Sequence, residues 1–243
     1  MDFYQSISKY YHHIFPLNKF QLDFIDSAHS NKNEDLKVLD IGCAIGDLSI
    51  ALAESYKQIV GIDLDEGMLH KAAQKSSNIP NLKFQLENML HIDQTFGSDS
   101  FDIIACFGNT LVHLDSEDSI LEFFRKSKLV LRPKGKLLFQ IINYDRIIDK
   151  NINFLPTIEN EVIKFERNYQ YHPTLNRIDF ETILTIKENS ERIQNNIPLL
   201  PVRKSAIYRL LNEADFNEIQ YYGNFKRDEL TDDSMPLVVE AGI

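Results

Sequence analysis

A chain of 243 residues, 43% hydrophobic and 26% charged, has the composition of an ordered globule and the length for one α/β domain with an appended element, which excludes long disorder. Its formal charge of −10, from 36 acidic and 26 basic residues, works against binding a nucleic-acid backbone, and no apolar run reaches the roughly 20 residues of a membrane span. Two cysteines, Cys43 and Cys106, make no disulfide framework, and the start MDFYQSISKYYHHIF lacks the basic region and apolar core of a secretory signal; the expected compartment is the cytoplasm.

The first 28 residues are rich in aromatics, and Tyr4, Ile7, Tyr11 and Ile14 recur at helical spacing up to the break at Pro16. A second helix follows, with Phe20, Phe24 and Ile25 inward, and Ser30–Glu34 is a polar linker. The stretch Lys37–Ile50, KVLDIGCAIGDLSI, organises the rest. Val38, Leu39 and Ile41 show no surface alternation, as in a strand buried on both faces of a parallel sheet. Small residues at Gly42-Cys43-Ala44-Ile45-Gly46 then turn the chain into a helix from Asp47, which places a ligand over the carboxyl end of the strand. The next strand, Gln58–Asp63, ends in a carboxylate about 20 residues beyond that turn, the spacing at which an acid meets a ribose diol.

A dinucleotide brings a pyrophosphate and favours Gly-x-Gly-x-x-Gly. Here the spacing is Gly42-x-x-x-Gly46, with Asp40 and Asp47 flanking the turn, and these charges favour a cationic ligand. VLDIGCAIGDLSI and GIDLDEGML resemble the first and second motifs of the class I S-adenosylmethionine-dependent methyltransferases. That resemblance implies Asp40 near the methionine end of the cofactor, the backbone of Gly42, Ala44 and Gly46 beneath it, and Asp63, followed by Leu64, at the ribose. Ala44 stands where the family usually has the middle glycine of Gly-x-Gly-x-Gly, a difference of one methyl group. The resemblance also implies that the leading helix is a lid, with Tyr11 facing the methionine end and Tyr4 or Tyr10 the acceptor.

A helix over Glu66–Ser77 and a strand over Leu82–Leu86 follow, with Met68, Leu69, Ala72 and Ala73 on the helix's inner face. In the resembled family the next loop meets adenine, here through Asn88, whose amide oxygen can accept from the exocyclic amine, and Met89. FDIIACFGNTLVHL, a strand running into a loop, resembles the fourth motif of small-molecule methyltransferases. Phe107 and Gly108 fall on its cofactor side, and Asn109 and His113, together with Tyr144, on its acceptor side. His113 is a candidate proton acceptor or, equally, a packed residue bonded to a loop carbonyl. The Asn/Asp-Pro-Pro-Tyr of enzymes acting on amino groups of bases is absent, and His12 and His13 support no metal pattern. Ser116-Glu117-Asp118 starts a helix that Arg132-Pro133-Lys134-Gly135 ends before the strand Lys136–Ile142.

From 145 to 201 the pattern becomes alternation, in runs at 161–169, 177–186 and 192–199 with a turn at 172–176, the mark of antiparallel strands with one wet face. Such an insertion sits above the carboxyl ends of the strands, where Arg167, Tyr169 or Arg203 would meet the acceptor. A helix at 204–213 and strands at 218–222 and 236–241 close the chain. The expected fold is a doubly wound, Rossmann-like, mostly parallel seven-stranded sheet with an antiparallel last strand, plus an inserted antiparallel β meander. Its parts are an N-terminal helical lid (1–33), an S-adenosylmethionine-binding domain (34–144 and 202–243) and the insert (145–201). The expected function is methyl transfer from S-adenosyl-L-methionine to a small-molecule N or O acceptor by in-line displacement, with no metal and no nucleic-acid or membrane partner. Two alternatives stand beside it: a non-catalytic S-adenosylmethionine-binding protein of this fold, and a nicotinamide-dependent oxidoreductase, which lacks its pyrophosphate loop here.

Overall fold

The computed structural model describes residues 3–29 and 35–243; the linker expected over Ser30–Glu34, and the Tyr4 side chain, lie outside the described set. The aromatic leader forms two short helices, α1 (Phe3–Ile7) and α2 (Tyr11–Ile14), rather than one. Between them Ser8 folds its hydroxyl back onto the Gln5 carbonyl and Tyr10 N donates to Ile7 O, a side-chain competition that ends a helix early. Helix α3 (Lys19–Ser27) is capped by Asn18, which accepts from Phe20 N while Gln21 reaches back to the Asn18 amide.

The main sheet then builds in strand–helix alternation: β1 (Lys37–Ile41), α4 (Asp47–Leu52), β2 (Gln58–Asp63), α5 (Glu66–Lys75), β3 (Leu82–Leu86), α6 (Ile92–Phe96), β4 (Phe101–Cys106), α7 (Glu117–Val130), β5 (Leu131–Ile142) and α8 (Tyr144–Asp149). Four strands follow in the insert, β6 (Phe154–Glu159), β7 (Ile163–His172), β8 (Arg177–Ile186) and β9 (Arg192–Leu199), before α9 (Lys204–Glu213), β10 (Glu218–Tyr222) and β11 (Pro236–Gly242). The seven-stranded sheet has the order β10-β11-β5-β4-β1-β2-β3, with β11 antiparallel to both of its neighbours. Alternate residues of each strand feed two cores. Val38, Ile59, Ile103 and Leu138 meet Phe24 and Ile25 of α3 and Leu52 of α4, while Leu39, Ile104 and Phe139 meet Phe123 and Phe124 of α7 and Leu210 and Leu211 of α9.

Two expectations change in detail. β5 begins at Leu131, so Arg132-Pro133-Lys134-Gly135 is an irregularity inside the strand rather than a turn before it. Pro133 has no amide for the ladder and Lys134 takes φ +69°, so pairing with β4 jumps from Leu131 to Lys136. The insert has four antiparallel strands in the order β6-β7-β8-β9, not three. Its inner face carries Ile163, Phe165 and Leu184, which bury Ile7 and Ile14 of the leading segment, and the Phe15 ring stands edge-on to Phe165 at 5.9 Å.

The turn after β1 is held by a close approach. At Gly46, φ is +80° and an added Cβ would lie 2.5 Å from Phe84 Cζ and 2.9 Å from Ala72 Cβ. Gly46→Ala is therefore expected to cost about 2–5 kcal/mol, from left-handed strain plus overpacking, and to lower the thermal midpoint by about 5–15 °C in calorimetry. A midpoint within 2 °C of wild type would show that the turn is not clamped there.

Candidate active site

Gly42, Ala44 and Gly46 all have positive φ, at 70°, 48° and 80°. This winding turns backbone amides toward the end of β2: Gly42 N and Cys43 N donate to Ile62 O at 2.9 and 3.0 Å, and Ala44 N donates to Asp63 Oδ2 at 2.8 Å. Asp63 Oδ1 accepts from Asp65 N at 2.9 Å, so the carboxylate braces the turn, and each oxygen keeps a lone pair for a diol. Ala44 holds the left-handed conformation expected of glycine at about 1–2 kcal/mol; its amide bond to Asp63 offsets part of that.

Asp40 is the penultimate residue of β1, on the face covered by α4. It is 3% exposed, and Ser49 of α4 donates to its Oδ2 at 2.5 Å. Burial is the main cause that pushes its carboxyl up to about 6, with Asp63 adding to the effect and the Ser49 bond opposing it. Asp47, at the start of α4, is paired with Lys75 at 2.7 Å. Burial, followed by Asp63 and Asp40, holds the Tyr11 phenol well above its usual range, so Tyr11 remains a hydrogen-bond donor.

These groups border a cavity of about 560 Å³ over the carboxyl ends of β1 to β5. Its floor carries Asp40, Gly42, Ala44, Asp63, Leu64 and Met89; one side carries Phe107, Gly108, Asn109 and His113; Tyr11 and Phe15 come from the leading segment. Besides Tyr10 and Arg203, three residues singled out from the sequence sit off the wall. Gly46 is tucked under Phe84. The Asn88 side chain accepts from Leu90 N at 2.9 Å, starting a 3-10 turn, and leaves Glu87 and Met89 at the cavity. Tyr144 is buried behind Asn109, whose Nδ2 donates to its hydroxyl at 3.1 Å. Asn109 has φ +67° and its Oδ1 accepts from Ile142 N at 2.9 Å, so it is fixed from behind.

The insert supplies Leu155, Arg167, Tyr169, Phe180 and Leu199 to the wall. Arg203 is elsewhere, forked between Asp145 at 2.9 Å and Asp149 at 2.7 Å. Sequence reasoning missed Phe15, Glu87, Gln140, Leu155, Phe180 and Leu199. For the insert residues the available signal was strand alternation, and Gln140 shows its role only through the Gly108 amide that its Oε1 accepts, at 3.1 Å. No cluster of three metal-binding side chains occurs among the described residues, and no described helix is long and apolar enough to cross a membrane.

The raised Asp40 carboxyl gives a signed pH dependence. Its folded form binds a proton more readily than the unfolded chain, so its contribution is fully present below pH 4 and is lost as pH rises through about 6. Asp40→Asn, measured without ligand, is expected to match wild type near pH 4 and to exceed it by up to about 3 kcal/mol at pH 7.5 in urea titrations. A constant difference between the two proteins across that window would contradict the placement of the charge.

A family model described as a methyltransferase domain matches residues 38–135. A putative methyltransferase of Bacillus subtilis (strain 168) is 35% identical over 105 residues, 43% of this chain and 42% of its own. The glycine/sarcosine N-methyltransferase of Aphanothece halophytica is 28% identical over 203 residues, 81% of this chain and 72% of its own. For most of the other curated relatives the match spans about half of their length or less. In structure, an S-adenosylmethionine-dependent methyltransferase from Clostridium acetobutylicum ATCC 824 superposes with a TM-score of 0.83 at 16% identity, covering 100% of this chain and 99% of that one. Sheet order, the turn after β1 and the sequence likeness agree: residues 38–135 match a methyltransferase domain, and the chain has the fold of an S-adenosylmethionine-dependent methyltransferase.

Proposed function

We propose that this chain transfers the methyl group of S-adenosylmethionine to a small-molecule nitrogen or oxygen acceptor. The observation that carries the reading is one cavity in which a carboxylate-lined, left-handed turn forms the floor while a leading helix pair and an inserted sheet close the other sides. The residues fit the cofactor. Asp63 keeps a lone pair on each oxygen for the ribose hydroxyls, and an added Cβ at Gly108 would meet nothing within 4 Å, so the backbone borders open space there. In this reading Gly42, Ala44 and Leu64 line the nucleoside, Met89 and Phe107 face its rings, and Asp40 with Tyr11 meets the methionine end.

The cofactor supplies a methyl carbon activated by its sulfonium. The protein's part is alignment and exclusion of water, worth up to about 7–11 kcal/mol when reacting atoms are held in line. Asn109, fixed by Ile142 N and Tyr144, orients the acceptor, and His113 on the same wall takes the proton from an acceptor that must lose one. The resemblance to a glycine/sarcosine N-methyltransferase over 81% of the chain supports a compact acceptor. Cys43 and Cys106 are both free and buried, in keeping with a reducing, cytoplasmic setting.

Asp63→Ala is expected to weaken binding of S-adenosylhomocysteine about 10–150-fold in calorimetry, the effect of a lost charge-assisted hydrogen bond. Unchanged affinity, or tight binding of NADH with no response to the sulfonium cofactor, would overturn the reading.

A further inference from the structure

Among the described residues, those lining the cavity include five carboxylates, Asp40, Asp47, Asp63, Asp65 and Glu87, and a single permanent cation, Arg167. Arg167 comes from β7 of the insert. Its Nη2 donates to the Pro156 carbonyl at 2.5 Å, where the pairing of β6 with β7 slips between Leu155 and Ile158. Its Nε is buried and has no hydrogen-bond partner, and no carboxylate among the described residues pairs with it, in contrast to Arg203, Arg209 and Arg132. Thr182, 1% exposed, lies directly opposite Arg167 on β8, and its hydroxyl is likewise without a partner. Arg167 Nε and Thr182 Oγ1 are two buried, unpartnered polar atoms adjacent across the ladder, with Arg167 at the cavity wall, and such atoms are expensive unless a ligand completes them. Burial also pulls the guanidinium below its usual range, with Tyr169 acting in the opposite sense.

We propose that Arg167 anchors a carboxylate of the methyl acceptor, so that the substrate class is a small amine, or hydroxyl compound, that carries a carboxylic acid. The inference rests on the methyltransferase reading above and adds what the insert recognises. A planar carboxylate matches the fork of one guanidinium. A phosphate ester, with close to two negative charges, would meet the same single cation in a cavity that already holds five acids. The cofactor's own carboxylate is the competing source of the same chemistry, and cofactor affinity separates the two.

The test uses the full chain with S-adenosylmethionine and a probe set of glycine, sarcosine, alanine and their methyl esters. Free acids are expected to be methylated at least about 10-fold more efficiently than their esters. Arg167→Gln is expected to lose about 10–100-fold in kcat/KM for the acids, mainly through KM, and to leave the esters unchanged. Arg167→Lys is expected to recover part of the loss, and both variants to bind S-adenosylhomocysteine within twofold of wild type with an unchanged melting midpoint. Weaker S-adenosylhomocysteine binding in Arg167→Gln would assign the guanidinium to the cofactor and overturn the proposal, as would equal turnover of acids and esters. If nothing is methylated, the same compounds are titrated into the S-adenosylhomocysteine complex. Saturable binding of the acids that Arg167→Gln abolishes supports the proposal, and no carboxylate-dependent binding overturns it. Absence of S-adenosylhomocysteine binding in wild type would instead overturn the methyltransferase reading itself.

Discussion

The hydrogen bond from the Ala44 amide to Asp63 joins the ends of two neighbouring parallel strands, and the rest of the site is arranged around it. Without it the turn would have to hold three alternate residues, 42, 44 and 46, at positive φ on backbone bonds alone, one of them an alanine. With it, the side chain that presents carboxylate oxygens to the cavity is also the one that fixes the backbone beside them. Packing below makes this rigid, because Phe84 and Ala72 leave no room for a side chain at Gly46. The ligand floor is thus a consequence of β1, β2, β3 and α5 packing together, not a loop laid on a finished sheet.

Electrostatics divides the cavity into two ends. Asp40 and Asp63 concentrate negative charge under the turn, and burial raises both carboxyls because each disfavours its charged form in that setting. Such an arrangement costs stability in the unliganded protein and is offset when a cation arrives. Arg167 lies on the insert side, with Tyr169 as its titratable neighbour. A zwitterionic or positively charged guest therefore meets a field with direction, not a uniformly acidic hole.

The floor of this site was legible because it is local. Strand, small-residue turn, helix and following acid all fall within 27 residues, from Lys37 to Asp63, and the buried run and the glycines carry the pattern by themselves. β6 was not legible: Phe154-Leu155-Pro156-Thr157-Ile158-Glu159 has one buried residue, contains a proline, and slips register midway, so period-2 alternation never appears. Orientation was the second thing hidden. Asn88 and Tyr144 are the residues expected at the site, yet one side chain caps a turn and the other packs behind Asn109. Arg167 and Arg203 are alike in the sequence; only the distant Asp145 and Asp149 tell them apart, by occupying Arg203.

The insert does two jobs through one surface. Its inner face lines one side of the cavity with Leu155, Arg167 and Tyr169, and the same face, further along the strands, buries Ile7 and Ile14. Polar ties run the same way, from Asn195 to Ser6 and from Asn160 to the His13 carbonyl, both at 3.0 Å, while the main domain adds Lys71 to Ser8 at 2.8 Å. Burying two isoleucines is worth about 3–6 kcal/mol in transfer terms before entropy is counted, more than three partly exposed hydrogen bonds supply. The leading segment, and Tyr11 with it, is therefore positioned chiefly by the insert. A substitution that shifts β7 or β8 moves the insert's side of the cavity wall and the leading segment over its floor together, so the two walls are coupled through packing alone.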